Sequence, residues 1–133
     1  PSLWAGGGIL TTADDTARWL VALTEGRLLG DAARARMWSA ERLADGRAGP
    51  WAGGWPVLQA APDLQVAGIG GARSAFVVYP GRGVAVVVLT NLVGANPQRF
   101  IPRIADFHAS AASAADDKAV ARAWQQRSIV ARP

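Results

Sequence analysis

The stretch Val66–Asn91 reads VAGIGGARSAFVVYPGRGVAVVVLTN, and its reading decides the fold. Ser74–Tyr79 and Val84–Thr90 are two runs rich in Val, Phe, Tyr and Leu. Between them stands Pro80-Gly81-Arg82-Gly83, in which Pro fixes φ and each Gly permits the positive φ of a tight turn. Two β-favouring runs joined by four turn residues predict an antiparallel hairpin. The second run is almost wholly apolar, which predicts a central strand covered on both faces, because a water-facing side would alternate with polar residues. Gly68, Gly70 and Gly71 interrupt the pattern just upstream. They mark a bulge or a place where another group comes close to the backbone.

Outward from the hairpin, the spacing predicts helices near 13–25 and 97–108. Thr12 is placed as N-cap of the first, with Asp14 and Asp15 complementing its dipole and Gly26 ending it. Ala17, Leu20, Val21 and Leu23 form its apolar stripe. Adjacent carboxylates point to different sides of a helix, so Asp14 and Asp15 do not suit acid/base work as a pair. Asn96-Pro97 reads as cap and first residue of the later helix, and Phe100, Ile101, Ile104, Phe107 and His108 should lie on the sheet. A short helix is predicted over Ala32–Trp38 with Asp31 as cap. Gly54–Leu58 is read as a strand whose Pro56 calls for an edge or a bulge, and Leu64–Ala67 as another. The fold class is therefore α+β, an antiparallel sheet with helices packed on it. The domain is placed at residues 1–108. Residues 109–133 turn Ala-rich and polar and read as an extension, with at most a marginal helix over Asp116–Gln126.

Composition narrows the function classes. The chain has 133 residues, half of them hydrophobic, enough for about one domain. With no cysteine, neither disulfides nor thiolate metal sites are available. Net charge is +4, but the arginines are scattered rather than gathered on one face with stacking aromatics, so nucleic acid is not an expected partner. No apolar run reaches the roughly 18 residues of a membrane-spanning helix. Gly6-Gly7-Gly8 lacks the spacing and the Lys-Ser/Thr of a phosphate loop, and no cofactor is called for.

Three motifs resemble the serine β-lactamase-like and penicillin-binding-protein hydrolases. YPGRGVAVVVLTNL after a Gly-Gly is similar to that family's last strand pair. WAGGGILTTADDTARWLVAL (4–23) is similar to its Gly-Gly-Leu/Ile-x-Ser/Thr-Thr-Ala-x-Asp helix start. RARMWSAERLADGRAGPWAGGW (34–55) is similar to its Met-Trp to Gly-Trp lead into the sheet. The likeness covers about residues 1–108. It implies an acyl-enzyme mechanism in which a Ser of Ser-x-x-Lys attacks a carbonyl and a His/Lys-x-Gly strand binds substrate and shapes the oxyanion hole.

The chemistry implied by the resemblance is only partly encoded. The one lysine, Lys118, follows Ala115 by three, so there is no Ser-x-x-Lys. The one tyrosine, Tyr79, precedes Pro-Gly, so there is no Tyr-x-Asn. His108, the one histidine, stands without an activating motif and reads as a helix-end residue. Matching Gly70-Gly71 to the family's third motif puts Gly68 at the His/Lys position and gives Gly71 the oxyanion N–H. An ungapped match on Phe76 puts Val66 there instead. Neither supplies a charge, whereas Arg73 could do so from the same strand or stand as an exposed strand-end arginine. Gly68, Gly70, Gly71 and Arg73 are thus the candidates for substrate and oxyanion binding, with no catalytic nucleophile. The expectation is the C-terminal half of a serine hydrolase whose parent takes a β-lactam, a D-Ala peptide or a small ester. Without its N-terminal half the chain should be inactive and could self-associate through exposed sheet edges. The rival expectation is a non-catalytic binding module on the same fold.

Overall fold

The computed structural model describes residues 8–70 and 73–112. Helix α1 (Ala13–Thr24) starts as the sequence dictates. The Thr12 hydroxyl accepts from the Asp15 N–H at 3.0 Å and donates to the Asp15 carboxylate at 3.0 Å. The helix ends at Gly26 in the left-handed region (φ 75°), with Gly26 N–H bonded to Leu23 C=O and Arg27 N–H to Ala22 C=O. Helix α2 (Asp31–Met37) follows. Here Gly30, not Asp31, is the cap, and it makes no side-chain bond. The Asp31 carboxylate is instead held by Arg34 at 2.6 Å, one turn on.

Five antiparallel strands run in chain order across one sheet: β1 (Trp51–Ala52), β2 (Trp55–Gln59), β3 (Gln65–Gly70), β4 (Ser74–Tyr79) and β5 (Val84–Leu89). The predicted hairpin is β4–β5, in register from Ser74↔Leu89 to Tyr79↔Val84 and closed by a 3₁₀ turn over Pro80–Arg82. Gly53 and Gly54, both at positive φ, join β1 to β2. A Cβ on Gly53 would stand 2.8 Å from the Met37 carbonyl oxygen, so glycine lets this hairpin close on the end of α2. The irregularity announced by Pro56 is a register shift between Val57 and Gln59 against β3.

Two expectations for the sheet are corrected. Of the two alternatives for the glycine cluster the bulge is not found, since Gly68 and Gly70 sit inside β3 in regular register opposite Phe76 and Ser74, whereas a close approach holds at Gly68, against the Phe76 ring. β5 is covered on both faces as foreseen, by α1 and α3, but among the described residues it is the last strand of the sheet rather than a central one. Burial on two faces yields the same apolar run whether or not a neighbouring strand is present.

Helix α3 (Ile101–Ala112) follows a 3₁₀ turn at Pro97–Arg99. Asn96 adopts a left-handed conformation (φ 46°) and makes no capping bond, so it turns the chain instead of capping it. His108 lies inside α3 rather than at its end. The buried face is narrower than the spacing foretold. Ile101 and Ala105 are fully buried, while Phe100, Ile104 and Phe107 flank the contact and stay exposed. Two cores result. Leu20, Leu23, Trp38, Val66 and Val78 pack under α1, and Ala67, Ala75, Val77, Tyr79, Val86, Ile101 and Ala105 pack under α3.

Candidate functional site

The C-terminal half of β3 is where the sheet stops being paired on one side. β2 meets β3 only at Val57↔Val66 and Gln59↔Gln65. Pro56, next along β2, has no N–H to extend the ladder. Which main-chain groups of β3 face the opening follows from the hydrogen-bond phase. Thr90 N–H bonds to Arg73 C=O at 2.8 Å, so the odd-numbered residues of β4 face β5 and the even ones face β3. Across the β3–β4 register, Val66, Gly68 and Gly70 then turn their amides and carbonyls to β4. The bond from Val57 N–H to Pro50 C=O at 2.8 Å agrees, since it turns Val57 away from Val66. Ala67 and Ile69 point the other way. Among the described residues no strand pairs with Ile69 on that side.

This placement sorts the sequence candidates. The amides of Gly68 and Gly70 belong to the β4 ladder and are not open donors. Gly71 lies outside the described residues. Arg73 is exposed in the turn before β4. Among the described residues, the N–H turned to that open side is that of Ile69, which side-chain reasoning could not single out because a main-chain donor depends on strand phase alone. Val66, the other residue matched to the charged motif position, is fully buried under α1, where an unpaired charge would be costly.

Gly68 has a packing reason for being glycine. A Cβ there would overlap the Phe76 ring, which lies across the strand. That ring belongs to a cluster drawn from four elements. Trp55 meets Phe76 edge-on at 5.5 Å between centroids, and Trp19 stacks on Trp55 at 5.8 Å and 17°. Trp19 also meets Phe76 edge-on at 5.9 Å, and Trp38 meets Trp55 edge-on at 5.9 Å. The buried Trp38 indole N–H has no hydrogen-bond acceptor in the structure. The sequence shows these rings only as separate residues, with no spacing that joins them.

The titratable groups lie elsewhere. Asp14 is paired with Arg18 at 2.8 Å and Asp15 with the Thr12 hydroxyl. Tyr79 is buried on the α3 face, opposite to the face carrying Gly68, and burial raises its pKa above the ordinary 10.0 despite the Arg82 charge beside it. Arg82 stands 5.5 Å over the Tyr79 ring and pairs with Asp106 at 2.7 Å. His108 packs edge-on against Phe107. A small cavity of about 150 Å³ lined by Asp63, Tyr79 and Arg82 opens at the end of β4 away from Ser74. Lys118 lies outside the described residues. No cluster of metal-ligating side chains occurs among the described residues.

The family model described as Beta-lactamase matches residues 1–111 of the 133. The chain belongs to the beta-lactamase family. No curated protein and no solved structure gives a match. Membership agrees with the α+β architecture, an antiparallel sheet with helices on both faces, and it places the chain among hydrolase-like proteins. Among the described residues, no helix is long and apolar enough to cross a membrane.

Proposed function

We propose that this chain forms the sheet wall of an acyl-transfer site in a serine hydrolase, and that the Ile69 N–H is its main-chain oxyanion donor. The supporting observation is the unpaired outer side of β3 beyond Val66, beside the strand registered to β4. A carbonyl laid along that edge would receive the Ile69 N–H as negative charge develops on its oxygen. Gly71, the donor under the other motif match, lies outside the described residues. The sequence holds no Ser-x-x-Lys, so the nucleophile and its base come from residues outside it. In the assembled site the serine Oγ bonds to the carbonyl carbon and its proton passes to the base. The leaving nitrogen or oxygen departs with a proton, and water releases the acyl group. The substrate class is a β-lactam, a D-Ala peptide or a small ester.

The test is intact-mass spectrometry after incubation with a penicillin and with an alkyl fluorophosphonate. The chain alone should acquire no adduct, and the complete enzyme, with the segment bearing its nucleophile, should be labelled on one serine. In that enzyme Ile69→Pro should lower kcat about 100-fold or more, the loss typical of an oxyanion donor, while Ile69→Val should change it little. Full activity in Ile69→Pro would move the donor elsewhere. The absence of a charged residue at Val66 or Gly68 favours a second reading, a non-catalytic binding module, which predicts no labelling of any assembly.

A further inference from the structure

Two turns meet around a cavity of about 150 Å³ at the start of β3 and the end of β4. The connection between β2 and β3 supplies Pro62, Asp63 and Leu64, and the end of β4 with the turn into β5 supplies Tyr79, Gly81 and Arg82. A Cβ on Gly81 would stand 4.0 Å from the Pro62 carbonyl oxygen, so the two turns come within contact distance. Tyr79 is only 3% exposed, yet its hydroxyl has no hydrogen-bond partner among the described residues. A hydroxyl so placed is costly unless something bonds to it. Burial holds its proton above the ordinary 10.0, so at neutral pH it is a donor. Arg82 lies 5.5 Å over the same ring with its Nη1 on Asp106 at 2.7 Å. Its Nε and Nη2 have no acceptor among the described residues, and Asp63 has no ion-pair partner among them.

We propose that this cavity binds a small zwitterion, an α-amino acid of glycine or alanine size, with its carboxylate on Arg82 and the Tyr79 hydroxyl and its ammonium on Asp63. The wall carries both signs of charge. A simple anion would be set against Asp63 and a simple cation against Arg82, whereas a zwitterion answers both. A guanidinium with unbonded N–H groups suits a carboxylate, and the protonated phenol adds a donor to it. Asp106 already holds Arg82 in place, so little side-chain freedom is lost on binding. Volume sets the size. The cavity has room for about five waters at about 30 Å³ each, which fits an amino acid with no more than a methyl side chain and shuts out a long one. Leu64 and Pro62 give that methyl apolar cover. All the lining residues belong to this chain and lie at the opposite ends of β3 and β4 from Ile69 and Ser74. The site therefore requires neither the acyl-transfer reading nor a residue outside the sequence.

Amide NMR of the nitrogen-15-labelled protein, titrated with alanine, tests it, with acetate and ethylamine as the two halves of the ligand. The titrations are run on the 133-residue chain and on the complete protein. Alanine should shift the amides of Asp63, Leu64, Gly81 and Arg82 saturably, at roughly millimolar concentration. Each half alone should bind at least about tenfold more weakly. Tyr79→Phe, which deletes only the hydroxyl, should weaken alanine about tenfold. Asp63→Asn should abolish the preference for alanine over acetate, and both variants should keep the far-ultraviolet circular dichroism unchanged. The absence of any saturable shift with alanine would overturn the proposal, and so would shifts that neither variant alters. Acetate or ethylamine binding as tightly as alanine would also overturn it, giving the cavity to a plain anion or cation. Shifts seen in the chain but lost in the complete protein would do the same, showing that another segment fills the cavity.

Discussion

Under α1 the sheet is met by interlocked rings. Trp19 stacks on Trp55, and Trp38 and Phe76 meet Trp55 edge to face, with the Phe76 ring lying over Gly68, where no side chain stands in its way. Under α3 the same strands present small and β-branched residues, and the helix answers with Ile101 and Ala105 while three large apolar residues remain outside the contact. The first face gains from area and shape and depends on several elements at once. The second is closed by a narrow ridge from one helix. A strand can therefore read as uniformly apolar and still be held by different means on its two sides.

The largest effect that would break this contrast is expected at Trp38. Trp38→Ala should cost about 3–5 kcal/mol in urea unfolding, since it empties a site buried among aromatic rings. A loss below about 1 kcal/mol would show that the ring cluster is not what secures α1 and α2 to the sheet.

On the α3 face the expected losses are smaller and depend on position. Ile101→Ala should cost about 2–4 kcal/mol, and Phe107→Ala, at 73% exposure, less than about 0.5 kcal/mol. A Phe107 effect equal to that of Ile101 would mean that the flank of α3 is covered in solution.

The close approach of Phe76 to β3 can be tested by paired substitutions. Gly68→Ala should cost about 1–3 kcal/mol through overpacking. Combined with Phe76→Leu, it should cost less than the two single changes added together, because the smaller residue vacates the space that the new Cβ enters. Additive costs would return Gly68 to a purely conformational role.

The smallest effect concerns pH. The folded-state pKa of Tyr79 is raised by burial, so the folded state holds its proton to higher pH than the unfolded chain does. Its stabilising contribution is complete below pH 10 and is lost as pH rises through the folded value. Since it is the only tyrosine, ultraviolet titration of tyrosinate reads it directly, and the midpoint should lie above 10. A midpoint at or below 10 would contradict the burial of the hydroxyl.

Local rules made much of the architecture legible. Thr12, Gly26 and the Pro80–Gly83 turn act through bonds to residues within a few positions, and α1 and the β4–β5 hairpin were each readable to within a residue. Asp31 and Asn96 show where such rules give way. Asp31 is drawn off by Arg34, and Asn96 takes a left-handed turn that no cap rule requires. The site was less legible. Gly68 and Gly70 drew attention as breaks in a β pattern, but a glycine inside a strand and a glycine in a bulge look alike until the register is known.

By itself the sequence determined the fold class, the β4–β5 hairpin, both ends of α1 and the family likeness. It also determined the absence of Ser-x-x-Lys, because each of these depends on residue identity over short spans. Tertiary structure alone decided that the four aromatic residues meet and that, among the described residues, β5 is the last strand of the sheet. It also decided that Ile69, and not Gly68 or Gly70, turns its amide to the open side of β3. The physical reason is that pairing phase and ring contacts are set between residues far apart in the chain. A shift of one residue reverses which amides and side chains face outward while leaving the local sequence pattern unchanged.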